Sequence, residues 1–76
     1  QKVDDFWDEI YLGMMDEWSA ETYPYEKETH LQSAIFHYHS ALDIESDNDM
    51  LYCLCGKIYM EMGSYKKAIE YFNQAV

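Results

Sequence analysis

Apolar residues recur at intervals of three and four along most of this 76-residue chain, which is the spacing of one face of an α-helix. The first such segment runs from Val3 to about Ala20. Its large apolar side chains fall within one arc at 100° per residue, and they are Phe6, Trp7, Ile10, Tyr11, Met14 and Trp18. We expect this aromatic face to pack on the helices that follow, with Trp7, Ile10, Tyr11 and Met14 in the core. The alternative is that part of it is an exposed docking face.

A second helix is predicted from Glu28 to about Ile44, after a break at residues 21–27. Pro24 lacks a backbone N–H and disfavours helical conformation in the residue before it, so the first helix should end before this proline. The second helix carries an apolar side made of Leu31, Ala34, Ile35, Tyr38, Ala41 and Leu42.

Two more helices are predicted in the second half of the chain. The third covers about Asp49 to Met62, and the fourth runs from Ser64 to the end. Gly63 can take the left-handed conformation that ends a helix, and Ser64 can cap the next one. The fourth helix is expected to bury Tyr65, Ala68, Ile69, Phe72, Ala75 and Val76. The pattern therefore predicts an all-α chain of about four helices in antiparallel helix-turn-helix pairs.

The second and fourth helices are related by a step of 34 residues. The equivalent pairs are Ala34 and Ala68, Ile35 and Ile69, Tyr38 and Phe72, Ala41 and Ala75, and Leu42 and Val76. Small residues such as Gly56 and Ala68 let two helices cross closely, while large side chains fill the space beside them. The chain therefore contains an internal repeat.

Residues 47–76 resemble a tetratricopeptide repeat, a pair of antiparallel helices. The positions that carry the resemblance are Tyr52, Gly56, Tyr59, Gly63, Tyr65, Ala68, Phe72 and Ala75. In the preceding segment, Ala34, Tyr38 and Ala41 stand at equivalent positions. The resemblance implies a fragment of an α-solenoid with nearly two repeats.

The resemblance also implies one domain with two unequal halves. Residues 1–45 would be an atypical first repeat with an enlarged loop at 21–27, and residues 47–76 a well-matched second repeat. A strict 34-residue spacing would place Pro24 inside the first helix. We therefore prefer a first helix that has slid upstream, and the alternative is an atypical first unit.

Proteins of this family hold their ligands in a concave groove, and the resemblance places one stripe of the third helix there. The stripe consists of Met50, Cys53, Lys57, Met60 and Glu61. Methionine is deformable and polarizable, which suits a surface that accommodates an apolar peptide or helix. The alternative is that the first helix, or repeats missing from this chain, cover the same stripe.

Charge narrows the choice of partner. The formal net charge of -10 at pH 7 makes nucleic acid and anionic membranes poor partners, although solvation explains it as well as a basic partner does. The family's clamp for acidic chaperone tails would need Lys and Asn where this chain has Cys53 and Leu54, and only Lys57 matches it. We expect an apolar or basic protein or peptide. The rival interpretations are a structural piece of a larger assembly and a self-associating, homodimeric domain.

Zinc binding is not favoured by the spacing of the histidines and cysteines. His37 and His39 are two positions apart, as are Cys53 and Cys55, so on a helix each pair diverges by about 200°. The two cysteines cannot pair with each other, which favours a reducing compartment and an intracellular, cytoplasmic location.

Catalysis is not favoured either. Adjacent carboxylates such as Asp16 and Glu17 diverge on a helix and are interpreted as a solvated face. No phosphate loop or catalytic triad is present, and no run approaches the roughly 20 apolar residues of a membrane span. The sequence predicts a non-enzymatic protein with no metal and no cofactor.

Overall fold

Four α-helices follow one another in the structure, a computed structural model that describes residues 3–75 and their side chains from residue 5 onward. They are α1 (Val3–Thr22), α2 (Lys27–Ile44), α3 (Asp49–Glu61) and α4 (Tyr65–Ala75). A 3-10 turn at Pro24–Glu26 joins α1 to α2, so the first helix ends before the proline as predicted. No strand occurs in this part of the chain, and the all-α prediction is confirmed. Val76, predicted to point inward, lies outside the described residues.

The helices form two antiparallel hairpins that pack side by side. α1 packs along α2, α3 packs along α4, and α2 joins the hairpins by packing on α3. The antiparallel direction is visible in the first hairpin, where Asp16 lies beside His30 and Glu9 beside His37. Because α1 and α3 both run antiparallel to α2, they run in the same direction as each other.

Local sequence determines where α3 begins and where it ends. The Asn48 side chain caps α3 by accepting a hydrogen bond from the backbone N–H of Leu51. Gly63 has a φ of 81°, its N–H donates to the carbonyl of Met60, and the N–H of Ser64 donates to the carbonyl of Tyr59. This hydrogen-bond pair is the Schellman motif, so the predicted turn is confirmed.

The core lies between the two hairpins. Its buried residues are Phe6, Ile10 and Ala20 of α1; Leu31, Ala34, Tyr38, Ala41 and Leu42 of α2; Leu51, Cys55, Ile58 and Tyr59 of α3; and Ala68 of α4. Ile35, Tyr52, Met62 and Phe72 are partly buried against this core. The apolar side predicted for α2 therefore faces inward.

In each hairpin, a glycine of the first helix lies against an aromatic ring of the second helix. Gly13 meets the ring of Tyr38, and Gly56 meets the ring of Phe72. The rings are 34 positions apart in the sequence, but the glycines are 43 apart. α1 therefore lies nine positions further upstream than a strict repeat would place it. Most of the extra positions lie in longer helices rather than in an enlarged loop, because α1 continues to Thr22 and α2 begins at Lys27, and the connection at 23–26 is only one residue longer than that at 62–64.

The aromatic residues of α1 differ from the prediction. Phe6 and Ile10 are buried, but Trp7, Tyr11 and Met14 are exposed rather than in the core, and Trp18 is exposed as well. The face that α1 turns toward the other helices consists of Phe6, Ile10, Gly13, Glu17 and Ala20. The exposed side chains project roughly 100° away from that face, where none of the described helices covers them.

The inward face of α4 is also narrower than predicted. Ala68 is buried and Phe72 partly buried, whereas Tyr65 and Ile69 are exposed. The reason is the rotation of α4 about its axis, which brings Tyr71 against the core. Tyr65 and Ile69 consequently lie on a side of α4 where no helix packs among residues 3–75.

Candidate functional site

The stripe predicted on the third helix is exposed in the structure. We call it the α3 stripe, and its members Met50, Cys53, Lys57, Met60 and Glu61 are all accessible to solvent. α1 does not cover it. No helix within residues 3–75 covers these side chains, so a partner could contact them.

A second exposed stripe runs along α1. It consists of Trp7, Tyr11, Met14 and Trp18, at spacings of four, three and four, and we call it the α1 stripe. Moving these residues by the 43 positions that separate the two glycines gives Met50, Leu54, Lys57 and Glu61. The two stripes thus occupy equivalent faces of two parallel helices.

An ion pair connects the α3 stripe to a residue beside the α1 stripe. Lys57 of the α3 stripe lies with its Nζ 2.9 Å from Oε1 of Glu17, which is adjacent to Trp18 in the sequence. The other carboxylate oxygen of Glu17 accepts a hydrogen bond from the hydroxyl of Tyr38 in the core. The Glu17 side chain is only 13% exposed. The surfaces on α1 and α3 therefore border each other across Glu17.

Glu17 also sets the electrostatics of this surface. Its hydrogen bond raises the pKa of Lys57, and the charges of Glu17, Glu61 and Glu21 raise it further. The pKa of the Tyr38 hydroxyl is raised as well, by burial and by the hydrogen bond to Glu17. Carboxylates therefore outnumber cations around Lys57.

Two members of the α3 stripe lie at its edge. Subtracting 43 positions relates Cys53 to Ile10 and Met60 to Glu17. Ile10 is fully buried, and Glu17 contacts α3. Cys53 and Met60 are exposed because no third hairpin follows in the described residues. Met50, Lys57 and Glu61 correspond more directly to the α1 stripe.

A cluster of tyrosines around His39 connects α2 to α3 and α4. Nε2 of His39 lies 3.3 Å from the hydroxyl of Tyr59 and 3.2 Å from that of Tyr71. Lys67 Nζ lies 5.3 Å from the centre of the Tyr59 ring, within the range of a cation–π contact. Burial lowers the pKa of His39 and raises that of Tyr71 to about 12.

The residues that define the repeat occupy three environments. Ala34, Tyr38, Ala41, Gly56, Tyr59 and Ala68 are buried, and Tyr52, Phe72 and Ala75 are partly buried. Gly63 forms the turn. Tyr65, which the repeat pattern places in the core, is exposed because α4 is rotated about its axis.

The other chemistry considered from the sequence can be located as well. Among the side chains that the structure describes, no group of three His, Cys, Asp or Glu residues is arranged to hold a metal ion. Cys53 and Cys55 are free thiols, the first exposed and the second buried. No helix within residues 3–75 is both long and apolar enough to cross a bilayer.

Comparison with known protein families identifies the second hairpin. Residues 51–76 match the family model described as the tetratricopeptide repeat. The match supports a tetratricopeptide repeat in the second hairpin alone. Repeats of this kind are protein–protein interaction modules in general and are typically non-enzymatic. No curated protein and no solved structure shows a match to the chain.

The tetratricopeptide match leaves out the first hairpin, which contributes the α1 stripe and Glu17. The prediction that Trp7, Tyr11 and Met14 lie in the core is wrong, and their exposure agrees with the alternative of an exposed face. Gly13 is the signal that could have corrected this, because a small residue marks the face where helices approach. Glu17 was interpreted as solvated, and only its burial beside Tyr38 reveals its role.

Proposed function

We propose that this chain is a non-enzymatic interaction module that binds an apolar segment of a partner protein, carrying basic residues, along the α1 and α3 stripes. The observation that carries the proposal is the ion pair between Glu17 and Lys57, which connects the α3 stripe to the residue next to Trp18, so that the two exposed stripes border each other. The repeat in residues 51–76 supports a binding role in general. The partner segment would lie across α1 and α3 as a helix or an extended peptide.

The chemistry of the two stripes supports an apolar ligand. Trp7, Tyr11 and Trp18 provide large aromatic surfaces, and tryptophan and tyrosine are enriched among the residues that dominate binding energies. Met14 and Met50 add deformable side chains that can adapt to the shape of a ligand. Such a surface gains affinity by removing apolar area from water.

The charge of the surface supports basic residues in the ligand. Lys57 is the one cation in the two stripes, and Glu17 already pairs with it. Glu21 and Glu61 lie close enough to affect the pKa of Lys57. The net charge of the whole chain is -10, so a basic ligand is also attracted at long range.

The test uses a synthetic amphipathic peptide with leucine and phenylalanine on one face and lysine on the other. Isothermal titration calorimetry with the 76-residue chain should show binding that weakens with salt. Trp18→Glu and Met60→Glu, one from each side of the ion pair, should each weaken it at least fivefold without loss of helicity. If both variants bind as the original chain does, the surface is not the site.

Phe36→Glu is the matched control. Phe36 lies on α2 and is 65% exposed, close to the 63% of Trp18. It therefore carries the same change of charge and a similar loss of apolar surface outside the two stripes. Its affinity for the peptide should stay within twofold of the original value. A loss equal to that of Trp18→Glu would mean that the weakening is not specific to the two stripes, and the proposed surface would be wrong.

A second candidate function, permanent assembly with further helices or a second copy, is favoured by the exposure of Tyr65 and Ile69. These residues form an apolar patch on α4 that none of the described helices covers. Light scattering at two concentrations distinguishes the candidates. A folded monomer supports the binding module, whereas a dimer that Ile69→Glu dissociates supports self-association through α4. The prediction of a reducing, cytoplasmic location remains part of the proposal.

A further inference from the structure

Glu17 is a nearly buried carboxylate with a donor on each oxygen. Tyr38, which is fully buried, donates its hydroxyl hydrogen to Oε2, and Lys57 Nζ lies 2.9 Å from Oε1. These two donors satisfy both oxygens of a carboxylate that has little contact with water. Removing Lys57 from this pair would leave a negative charge mostly buried with one donor.

This arrangement restricts what Lys57 can do on the surface. Its side chain is 55% exposed, so a ligand can reach it, but the carboxylate of Glu17 already balances the charge of its ammonium group. An acidic ligand would have to compete with Glu17, and would meet the negative charges of Glu21 and Glu61 as well. A basic ligand meets no such competition.

We propose that Glu17 determines the charge specificity of the surface, because by pairing with Lys57 it prevents acidic segments from binding there. The residue acts through Lys57 and positions it. The inference rests on the proposed function, since it takes the α1 and α3 stripes as the binding surface. Glu17 would then be the residue that selects basic over acidic partners, and removing its charge should weaken that selection.

The test compares two peptides that share an apolar face and carry either lysine or glutamate on the other face. Glu17→Gln keeps an acceptor for Tyr38 and removes the charge, so Lys57 becomes available. We expect this variant to bind the glutamate peptide at least tenfold more tightly than the original chain does. Glu70→Gln is the matched control, because it removes one exposed carboxylate on α4, outside both stripes. It should change that affinity less than threefold.

The failures of the two proposals are distinguishable. If the original chain binds the lysine peptide but Glu17→Gln gains nothing for the glutamate peptide, the role of Glu17 is wrong and the binding surface stands. If the lysine peptide fails to bind but the gain for the glutamate peptide is present, the role of Glu17 stands and the partner chemistry is wrong. If neither peptide binds to any variant, both proposals are overturned.

A measurement without any ligand covers the case in which Glu17→Gln does not fold. Acetic anhydride labels free amines, and mass spectrometry of peptides gives the rate for each lysine. In the unaltered chain, Lys57 should be labelled several-fold more slowly than Lys66, which is exposed on α4. Equal rates would overturn the proposal, because they would show that Glu17 does not hold the ammonium group.

Discussion

Gly13 lies so close to the ring of Tyr38 that a Cβ atom at this position would force the ring or the helix to shift. A Cβ atom on Gly13 would lie 2.5 Å from Cε1 of Tyr38, and a Cβ atom on Gly56 would lie 2.7 Å from Cε1 of Phe72. The two pairs differ in their surroundings. Tyr38 is fully buried and hydrogen-bonded to Glu17, whereas Phe72 is partly exposed. The first ring is therefore held more firmly than the second.

Gly13→Ala should destabilise the protein more than Gly56→Ala. Overpacking of this kind costs about 1–3 kcal/mol, and replacing glycine by alanine inside a helix returns about 1 kcal/mol. Tyr38 cannot move, so we expect Gly13→Ala to lower the free energy of unfolding by about 1–2 kcal/mol. Phe72 can turn toward solvent, so Gly56→Ala should be nearly neutral. Urea unfolding followed by circular dichroism measures both.

Gly63→Ala is a control in which the added Cβ atom would contact no other atom. Nothing lies within 4 Å of a Cβ atom at this position, but its φ of 81° disfavours any L side chain, so the loss should be about 1 kcal/mol. If Gly13→Ala and Gly56→Ala lowered the free energy of unfolding equally, the packing explanation for their difference would be wrong.

The helices and turns of this protein could be predicted because local sequence determines them. Pro24 ends the first helix, and Gly63 with Ser64 separates α3 from α4 through backbone preferences that need no tertiary contact. The spacing of apolar residues predicted the second and fourth helices, and the 34-residue step between Tyr38 and Phe72 related them as a repeat. The nine-residue displacement of α1 was expected only in direction, and the Gly13 contact gives its size.

The rotation of each helix could not be predicted to the same degree. Trp7 and Ile10 both fit a broad apolar arc, and only the position of the neighbouring helices decides which of them is buried. The same limit explains Tyr65, which the repeat pattern placed in the core. Glu17 is a further case, because its burial depends on Tyr38 and Lys57, which are distant in the sequence.

Cys55 should make the protein sensitive to alkaline pH. Burial, with a smaller contribution from Glu17, raises the pKa of its thiol from 9.0 to about 12. The unfolded chain therefore loses this proton above pH 9 while the folded chain keeps it. The resulting stability is present below pH 9 and falls above it by about 1.4 kcal/mol per pH unit. Urea unfolding at a series of pH values measures this fall.

Cys55→Ala should reduce the fall between pH 9 and pH 10, although it lowers the stability at neutral pH by removing a buried side chain. Cys53→Ala is the matched control, since Cys53 is exposed two positions away on the same helix. It should leave the alkaline fall unchanged. The same slope in Cys55→Ala as in the unaltered chain would mean that the buried thiol does not cause the effect.

His39 should make the protein sensitive to mild acid. Burial lowers its pKa from 6.5, the charge of Lys67 lowers it further, and Asp43 opposes them. The unfolded chain therefore takes up a proton below pH 6.5 before the folded chain does, so stability present above pH 6.5 is lost as the pH falls below it. His39→Gln should flatten this part of the profile, and Lys67→Gln should make the fall smaller. A profile that none of these changes alters would contradict the assignment.

Trp7 and Trp18 should report directly on the α1 stripe, because they are the only two tryptophans in the chain and both are exposed. In the free protein their emission should be red-shifted, as for indole in water, and readily quenched by acrylamide. Binding of the lysine peptide should shift the emission to the blue and protect both residues. Trp7→Phe and Trp18→Phe separate the two signals. Blue-shifted, protected emission in the free chain at every concentration would mean that the α1 stripe is already covered, and the proposed surface would have to be abandoned.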